Sequence, residues 1–326
     1  MFESTRDFFE NKQYKNPYIL KRKSKSAVLI LFRTLFIIGL SYLFLFPLLY
    51  MTVTTFQSPE TANDPSVIWI PKILSLDGIL GGWKFLKFSE SAILTTVITV
   101  FGTAGSIVSC AMVGYGFARF KFPLKNLAFF LVILTIIVPV QTIIMSAYLN
   151  YWFFDFGGIL KLFGIDSVNI LNTAWVFVLP SLFGTGLRNG LYIFIFRQFF
   201  LGQPKDLEEA ARIDGCGPFK TFIRIMVPLA GPAFVTVLLF SIVWHWNDFY
   251  SSSIYFTNEV KPISCMLQNL QDALSMGSVW DRNTTRYEVR MYLMGGTLLS
   301  VLPPLLLYIF TQRFFTESIE RTGLVG

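Results

Sequence analysis

Charged side chains are scarce in this chain: Asp, Glu, Lys and Arg make up only 14% of its 326 residues. Hydrophobic residues account for 53%, including 35 Phe, and the mean hydropathy is +0.56. Soluble globular domains carry about 25% charged residues. The composition therefore excludes a soluble domain and indicates an all-α membrane protein that crosses the bilayer several times.

Residues for metal binding and covalent catalysis are also sparse. The cysteines at 110, 216 and 265 lie far apart without paired spacing, which argues against a disulfide framework or a zinc site. His245 is the single histidine, and neither HExxH nor GxSxG occurs. A Gly-x4-Gly-Lys-Ser/Thr loop is absent too, so we expect no ATPase site and no cofactor in this chain.

Six apolar stretches are long enough to cross about 30 Å of hydrocarbon at about 1.5 Å per residue. The first is no cleavable signal peptide, because it is too long and lacks a small-residue cleavage site. We therefore divide the chain into a basic tail, residues 1–33, and a transmembrane domain, residues 34–326. The predicted spans are Thr34–Val53, Ser91–Phe117, Leu127–Tyr148, Thr173–Phe196, Leu229–Ile254 and Val289–Gln312.

Lys and Arg are unevenly divided between the two sides that these spans define. The side with both termini carries 18 of them, and the other side carries 8. Cytoplasmic loops are enriched in Lys and Arg, so we predict that both termini are cytoplasmic. The net charge of +7 is then explained by the orientation of the chain in the membrane. The basic run at residues 21–25 is accordingly interpreted as facing membrane lipid, with no nucleic acid as partner.

One cytoplasmic segment, Glu209 to Pro228, reads EAARIDGCGPFKTFIRIMVP. Its pattern predicts two short helices, Leu207 to Ile213 and Pro218 to Ile225, broken at Gly215-Cys216-Gly217. Glycine gives the backbone freedom for such a corner, and proline suits a first helical turn. On this pattern alone, an ordinary amphipathic loop remains an alternative.

The spacing of this segment resembles the EAA loop of permeases of the ATP-binding-cassette (ABC) importer class. Glu209-Ala210-Ala211, Gly215 and the Ile225-to-Pro228 ending match, while Val227 stands where the pattern has Leu. Other stretches resemble the same family in the same order. These are Gly114–Pro123, which reads GYGFARFKFP and resembles a GYAFAR-x-x-FP motif, the kink at Pro139, Leu171-Asn172-Thr173, the run-in Arg197–Glu209, and Trp246-Asn247-Asp248-Phe249 (WNDF).

The resemblance covers about residues 85–315, with the EAA coupling loop at 198–228. It implies the type I ABC importer permease fold, with six transmembrane helices and a cytoplasmic coupling helix. The chain as a whole resembles the smaller inner permease of carbohydrate importers of the maltose type, which lies in the bacterial cytoplasmic membrane. The implied partners are a homologous second permease, two ATP-binding subunits that hold ATP and Mg, and an extracytoplasmic sugar-binding protein. ATP-driven closure of the ATPase pair would then produce rigid-body alternating access for a sugar substrate.

Within the loop, the resemblance assigns coupling to the ATPase to five residues. Glu209 would pair with a basic group on the ATPase, and Gly215 would form the corner. Small side chains at Ala210 and Ala211 would allow close approach, and Asp214 is either part of the contact or simply solvated.

Polar residues inside predicted spans are costly and are therefore candidates for the transport pathway. Asn247 and Asp248 lie in the fifth span beside aromatic residues such as Trp246, a combination that suits a sugar. Aromatic rings cover the pyranose faces, and the amide and carboxylate take its hydroxyls. The alternative for Asp248 is a bond that fixes helix packing.

Arg188 and Asn189 interrupt the fourth span, bracketed by Gly184, Gly186 and Gly190. Three glycines this close predict a broken or closely packed helix in which a polar group faces a cavity. A guanidinium there suits sugar hydroxyls or an acidic sugar; a structural bond between helices is the alternative. We expect Arg188 and Asp248 to mark two depths of one cavity without forming an ion pair.

Three other functions are alternatives to a carbohydrate importer. An importer permease for amino acids or phosphate shares the EAA loop but not the WNDF and FAR-x-x-FP elements. A membrane glycosyltransferase requires a paired acidic motif that is absent from the sequence. An ion-coupled secondary transporter has no need of a helix-Gly-helix loop with this spacing.

Overall fold

The computed structural model describes residues 17–61, 64, 69–164, 166–275 and 286–323. Over these ranges the chain is mainly helical, and two isolated bridges, Gln57 with Leu74 and Phe154 with Val168, are the described β-type pairings. Short 3₁₀ turns occur at Pro59–Thr61 and Leu160–Phe163. The α-helices are α1 (Pro17–Thr55), α2 (Asp77–Phe85), α3 (Phe88–Arg119), α4 (Lys125–Ile137), α5 (Val140–Trp152), α6 (Trp175–Leu182), α7 (Asn189–Gly202), α8 (Asp206–Ile213), α9 (Pro218–Leu229), α10 (Gly231–Asn247), α11 (Tyr250–Tyr255), α12 (Ile263–Ser275) and α13 (Arg286–Gly323).

Continuous helices account for fewer membrane spans than the six expected. In the described residues, three helices are long and apolar enough to cross a membrane: Val28–Thr55 within α1, α3, and Tyr287–Gln312 within α13. The pairs α4–α5 and α9–α10 also qualify if each is one span, although they bend by 102° and 78°. The fourth predicted span is divided, because α6 ends at Leu182 and α7 begins at Asn189.

Proline explains the sharpest of these bends. Pro139 separates α4 from α5, and Val138 before it is extended, with ψ at 121°. Proline lacks the N–H needed for a helical hydrogen bond and disfavours the helical conformation in the preceding residue. The kink predicted at Pro139 is therefore present.

Helix α3 is the centre of the bundle and contacts α6, α7 and α10. Many of its buried residues are small, including Gly102, Gly105, Ser106 and Gly114. A Cβ added at Gly114 would lie 2.7 Å from Cβ of Phe196 in α7, so only glycine permits this approach. Small residues of this kind allow close helix packing inside membranes.

A short loop before α6 is joined to the chain beyond α11. The side-chain oxygen of Asn172 accepts hydrogen bonds from the amides of Thr257 at 2.7 Å and Asn258 at 3.2 Å. The amide of Asn172 donates to the carbonyl of Tyr255 at 3.0 Å. The Leu171-Asn172-Thr173 element therefore holds the start of the divided fourth stretch against the end of the fifth.

Candidate functional site

Helices α8 and α9 form the corner that the sequence predicts. Gly215 has φ of +77°, a conformation that glycine adopts without steric cost. The amides of Gly215 and Cys216 cap α8 by donating to Arg212 O at 3.0 Å and Ala211 O at 2.8 Å. The break between Ile213 and Pro218 agrees with the predicted position.

The second helix of the corner does not end at Ile225 as the sequence suggested; α9 continues to Leu229. Its middle, Phe222–Met226, is a π-helical turn in which the Val227 amide donates to the Phe222 carbonyl. Pro228 lacks an amide and its ring conflicts with a regular turn, so a widened turn lets the helix pass the proline.

Helix α8 has one face turned inward and one turned outward. Glu208 and Ala211 are buried, whereas Glu209, Ala210 and Asp214 are exposed. The small side chain at Ala211 therefore serves packing within this chain, unlike the role expected for it. Two apolar side chains beside the corner are strongly exposed, Ile213 at 87% and Phe219 at 65%. We call Glu209, Ala210, Ile213 and Phe219 the outer face of the corner.

A buried ion pair fixes the corner to α3. Arg119 Nε lies 3.1 Å from Glu208 Oε1, with side-chain exposures of 5% and 12%. The Nε–H is not aligned for a hydrogen bond to that oxygen, but Arg119 Nη2 donates to Gln203 O at 2.7 Å. Glu208 was not among the residues predicted from the sequence, although two adjacent acidic residues at one end of a loop and an arginine at the end of α3 were signals.

Aromatic side chains continue this attachment into the core. The Tyr115 ring of α3 lies 4.9 Å from the Phe222 ring of α9 and 5.4 Å from the Phe200 ring of α7, measured between centroids. These residues belong to one buried cluster with Phe196 and Met226, which we call the corner core. Both helices of the corner are thus joined to the transmembrane bundle.

Polar residues fill the break between α6 and α7. Arg188 has φ of +60° and precedes α7, and its guanidinium carbon lies 4.3 Å from the centroid of the Trp244 ring in α10. Asn189 is 1% exposed; its side-chain oxygen accepts from Ser106 Oγ at 2.8 Å, and its amide donates to Ser181 O at 3.4 Å. Asn189 thus forms the structural bond that the sequence left open, whereas the Arg188 side chain is exposed.

The WNDF segment forms the end of α10. Asp248 caps the next helix: its carboxylate accepts from the Ser252 amide at 2.8 Å and from Ser251 Oγ at 3.1 Å. Asn247 is exposed and donates to Val243 O at 3.0 Å. Asp248 therefore has a local structural role, which is the alternative to a pathway role given for it from the sequence.

Trp246 is a packing residue, contrary to the expectation that its ring faces a sugar. It is 7% exposed, and its indole N–H donates to Ser300 O in α13 at 3.0 Å. Proline at position 304 has no amide to bond that carbonyl in the regular helical pattern. Trp246 thus satisfies a carbonyl that Pro304 leaves free.

A family model described as "Binding-protein-dependent transport system inner membrane component" matches residues 110–317. The chain belongs to this family. The match extends from the middle of α3 into α13 and includes the corner, the break at Arg188 and the WNDF segment. The permease is therefore an inner-membrane component of a binding-protein-dependent transport system.

Relatives align along nearly the whole permease. The arabinooligosaccharides transport system permease protein AraQ of Halalkalibacterium halodurans is 27% identical over 317 residues, covering 94% of this chain and 100% of the relative. The polygalacturonan/rhamnogalacturonan transport system permease protein YtcP of Bacillus subtilis is 25% identical, covering 87% and 93%. A bacterial ABC transporter that imports the acidic polysaccharide alginate has a chain of the same fold, with TM-score 0.72 and 17% identity over 89% of the permease and 98% of that chain.

Proposed function

We propose that the permease is a subunit of an ATP-driven oligosaccharide importer in the bacterial cytoplasmic membrane. Support comes from relatives that align over most of both chains and are named for oligosaccharide and polysaccharide transport. The partners are a second, homologous permease, two ATP-binding subunits and an extracytoplasmic sugar-binding protein. The permease provides half of the pathway and has no ATPase site of its own.

The proposed topology has six spans and cytoplasmic termini. It counts α4–α5 as one bent span, α6–α7 as a fourth span interrupted at Arg188, and α10 as the fifth span, with α9 in the cytoplasmic corner before it. Internal backbone breaks are tolerated inside a membrane where they lie within protein or line a water-filled cavity. The excess of Lys and Arg on the terminal side supports the orientation.

The outer face of the corner is the proposed contact with an ATP-binding subunit. This inference rests on an exposed carboxylate, a small residue and two exposed apolar side chains on a rigidly held corner. Glu209 would pair with a basic group, while Ile213 and Phe219 would fill an apolar groove. Gly215 shapes the corner, and Asp214 lies beside it as a solvated neighbour. ATP-driven movement of the partner would then displace α9 and the spans rooted in the corner core.

Arg188, Asn247 and Asp248 remain as proposed pathway residues. Arg188 is the strongest of the three, because its side chain is exposed at a break in an apolar stretch. Asn189 and Trp246 support the pathway indirectly, since both are buried and bonded to neighbouring helices.

Copurification tests the docking proposal directly. Glu209→Lys should remove ATP-binding subunits from the purified complex and abolish ATP-dependent sugar uptake, while membrane levels of the permease stay normal. Lys84→Glu, a charge reversal on α2 far along the chain from the corner, is the control and should leave copurification intact. Undiminished uptake by Glu209→Lys, or ATP hydrolysis by the purified permease alone, would refute the proposal.

A further inference from the structure

Among the residues that the structure describes, none supplies a counter-charge to Arg188. Within the part of the chain that the structure describes, no carboxylate lies within 4.0 Å of its guanidinium. Asp248, the acidic residue of the neighbouring WNDF segment, is already engaged by Ser251 and Ser252. An unpaired charge inside a membrane protein is costly and is found facing water, a partner or a substrate.

The position of this charge is fixed by its surroundings. The backbone of Arg188 is held at φ +60°, and the carbonyl of Arg188 accepts hydrogen bonds from the amides of Leu191 and Tyr192 at 3.0 and 3.3 Å. The Trp244 ring lies 4.3 Å from the guanidinium carbon. Guanidinium groups stack on aromatic rings while their N–H donors, which lie in the guanidinium plane, point away from the ring.

We propose that Arg188 binds the carboxylate of an acidic sugar, so that the imported oligosaccharide contains uronic acid residues. This inference rests on the proposed function and specifies its substrate class. A carboxylate matches the planar fork of guanidinium N–H donors with two parallel hydrogen bonds and neutralises the charge. A neutral hydroxyl offers a single weaker bond and leaves the guanidinium uncompensated after water is removed.

Trp244, which stacks on Arg188, and two exposed rings that follow it in the sequence suit the rest of such a ligand. Trp244 is 40% exposed, and Phe249 and Tyr250, which follow in the same part of the chain, are 41% and 38% exposed. Rings with this exposure are available to cover the apolar face of a pyranose next to a bound carboxylate. Recognition would therefore combine one charge with aromatic contact.

The test compares a charged sugar with its uncharged counterpart. Equilibrium binding to the complete complex in lipid nanodiscs is measured for trisaccharides of galacturonate, glucuronate and mannuronate, and for their methyl esters. At least one uronate should bind on the order of ten- to a hundredfold more tightly than its ester. Arg188→Gln should abolish that difference, while Arg188→Lys should retain part of it.

Arg197→Gln is the matched control. Arg197 lies on the same helix and also stacks on an aromatic ring, with its guanidinium carbon 3.9 Å from the Phe129 centroid, but it is not at the break. This variant should keep the preference for the free acid. Equal binding of every acid and ester by the wild-type complex overturns the proposal, as does loss of the partner permease from Arg188→Gln, which would assign the charge to an interface between subunits. Absence of ATP-dependent uptake for any oligosaccharide would instead refute the proposed function.

Discussion

The ion pair between Arg119 and Glu208 makes a quantitative prediction about the corner. Two unit charges 3.1 Å apart attract by about 5 kcal/mol at an effective dielectric constant of about 20. Removing one partner of a buried pair typically costs about 3–5 kcal/mol, because the other charge remains buried. Arg119 keeps its hydrogen bond to Gln203 O, so we expect Glu208→Gln to destabilise the corner by about 3 kcal/mol.

Hydrogen exchange of the α8 amides in the full-length chain measures this effect. A loss of about 3 kcal/mol corresponds to roughly a hundredfold increase in the local opening equilibrium. The neighbouring Glu209 is exposed, so Glu209→Gln should leave exchange of α8 unchanged while weakening copurification of ATP-binding subunits. The two adjacent carboxylates are thus expected to have different roles. Glu208 controls local stability, and Glu209 controls association with the ATP-binding subunits.

A charge exchange provides an internal check. Combining Arg119→Glu with Glu208→Arg should recover part of the protection lost in either single variant, because an opposite-charge pair is restored. Unchanged α8 exchange in Glu208→Gln would refute the reasoning. Equal losses in Glu208→Gln and Glu209→Gln would show that the buried pair has no special role.

Three further substitutions have expected outcomes. Gly215→Arg should cost about 1 kcal/mol of local stability because φ is +77°, and it should reduce ATPase copurification while leaving insertion into the membrane normal. Gly102→Ala should lower the thermal unfolding temperature, since its Cβ would lie 2.7 Å from His245 Nε2 and overpacking costs about 1–3 kcal/mol. An unaltered thermal unfolding temperature in Gly102→Ala would show that the His245 ring moves aside freely. Trp246→Phe should cost about 1–3 kcal/mol of stability because it leaves Ser300 O without its partner, and transport specificity should stay unchanged. Altered specificity would show that the Trp246 ring lines the pathway.

The sequence predicts the corner and the breaks well because their causes are local. Gly215 and Pro218 define the ends of α8 and α9, Pro139 defines the kink after α4, and the glycines around Arg188 mark the division of the fourth stretch. Each acts through backbone conformation or a missing amide, which a single residue type determines. Apolar length alone could not separate a straight span from a bent one.

The roles of buried polar residues depended on partners distant in the sequence. Trp246 was expected to face a sugar, but its role becomes clear only when Ser300 of α13 is brought beside it. Glu208 and Glu209 are indistinguishable by residue type, and the packing of α8 against α3 decides which carboxylate is buried. Contacts of this kind arise from tertiary packing, so neither periodicity nor spacing could assign them.

The corner core has a mechanical consequence. Phe222 and Met226 of α9 are 8% and 0% exposed and pack with Tyr115 of α3 and Phe196 of α7. Close-packed interiors have low compressibility and transmit strain. A displacement of the corner should therefore be transmitted to two other helices with little loss. A movement imposed by ATP-binding subunits would then reach the bundle almost undiminished. Smaller side chains in this cluster would leave it room to deform. The ATP-binding subunits would still be attached and would still hydrolyse ATP, but part of each movement would be lost as internal deformation.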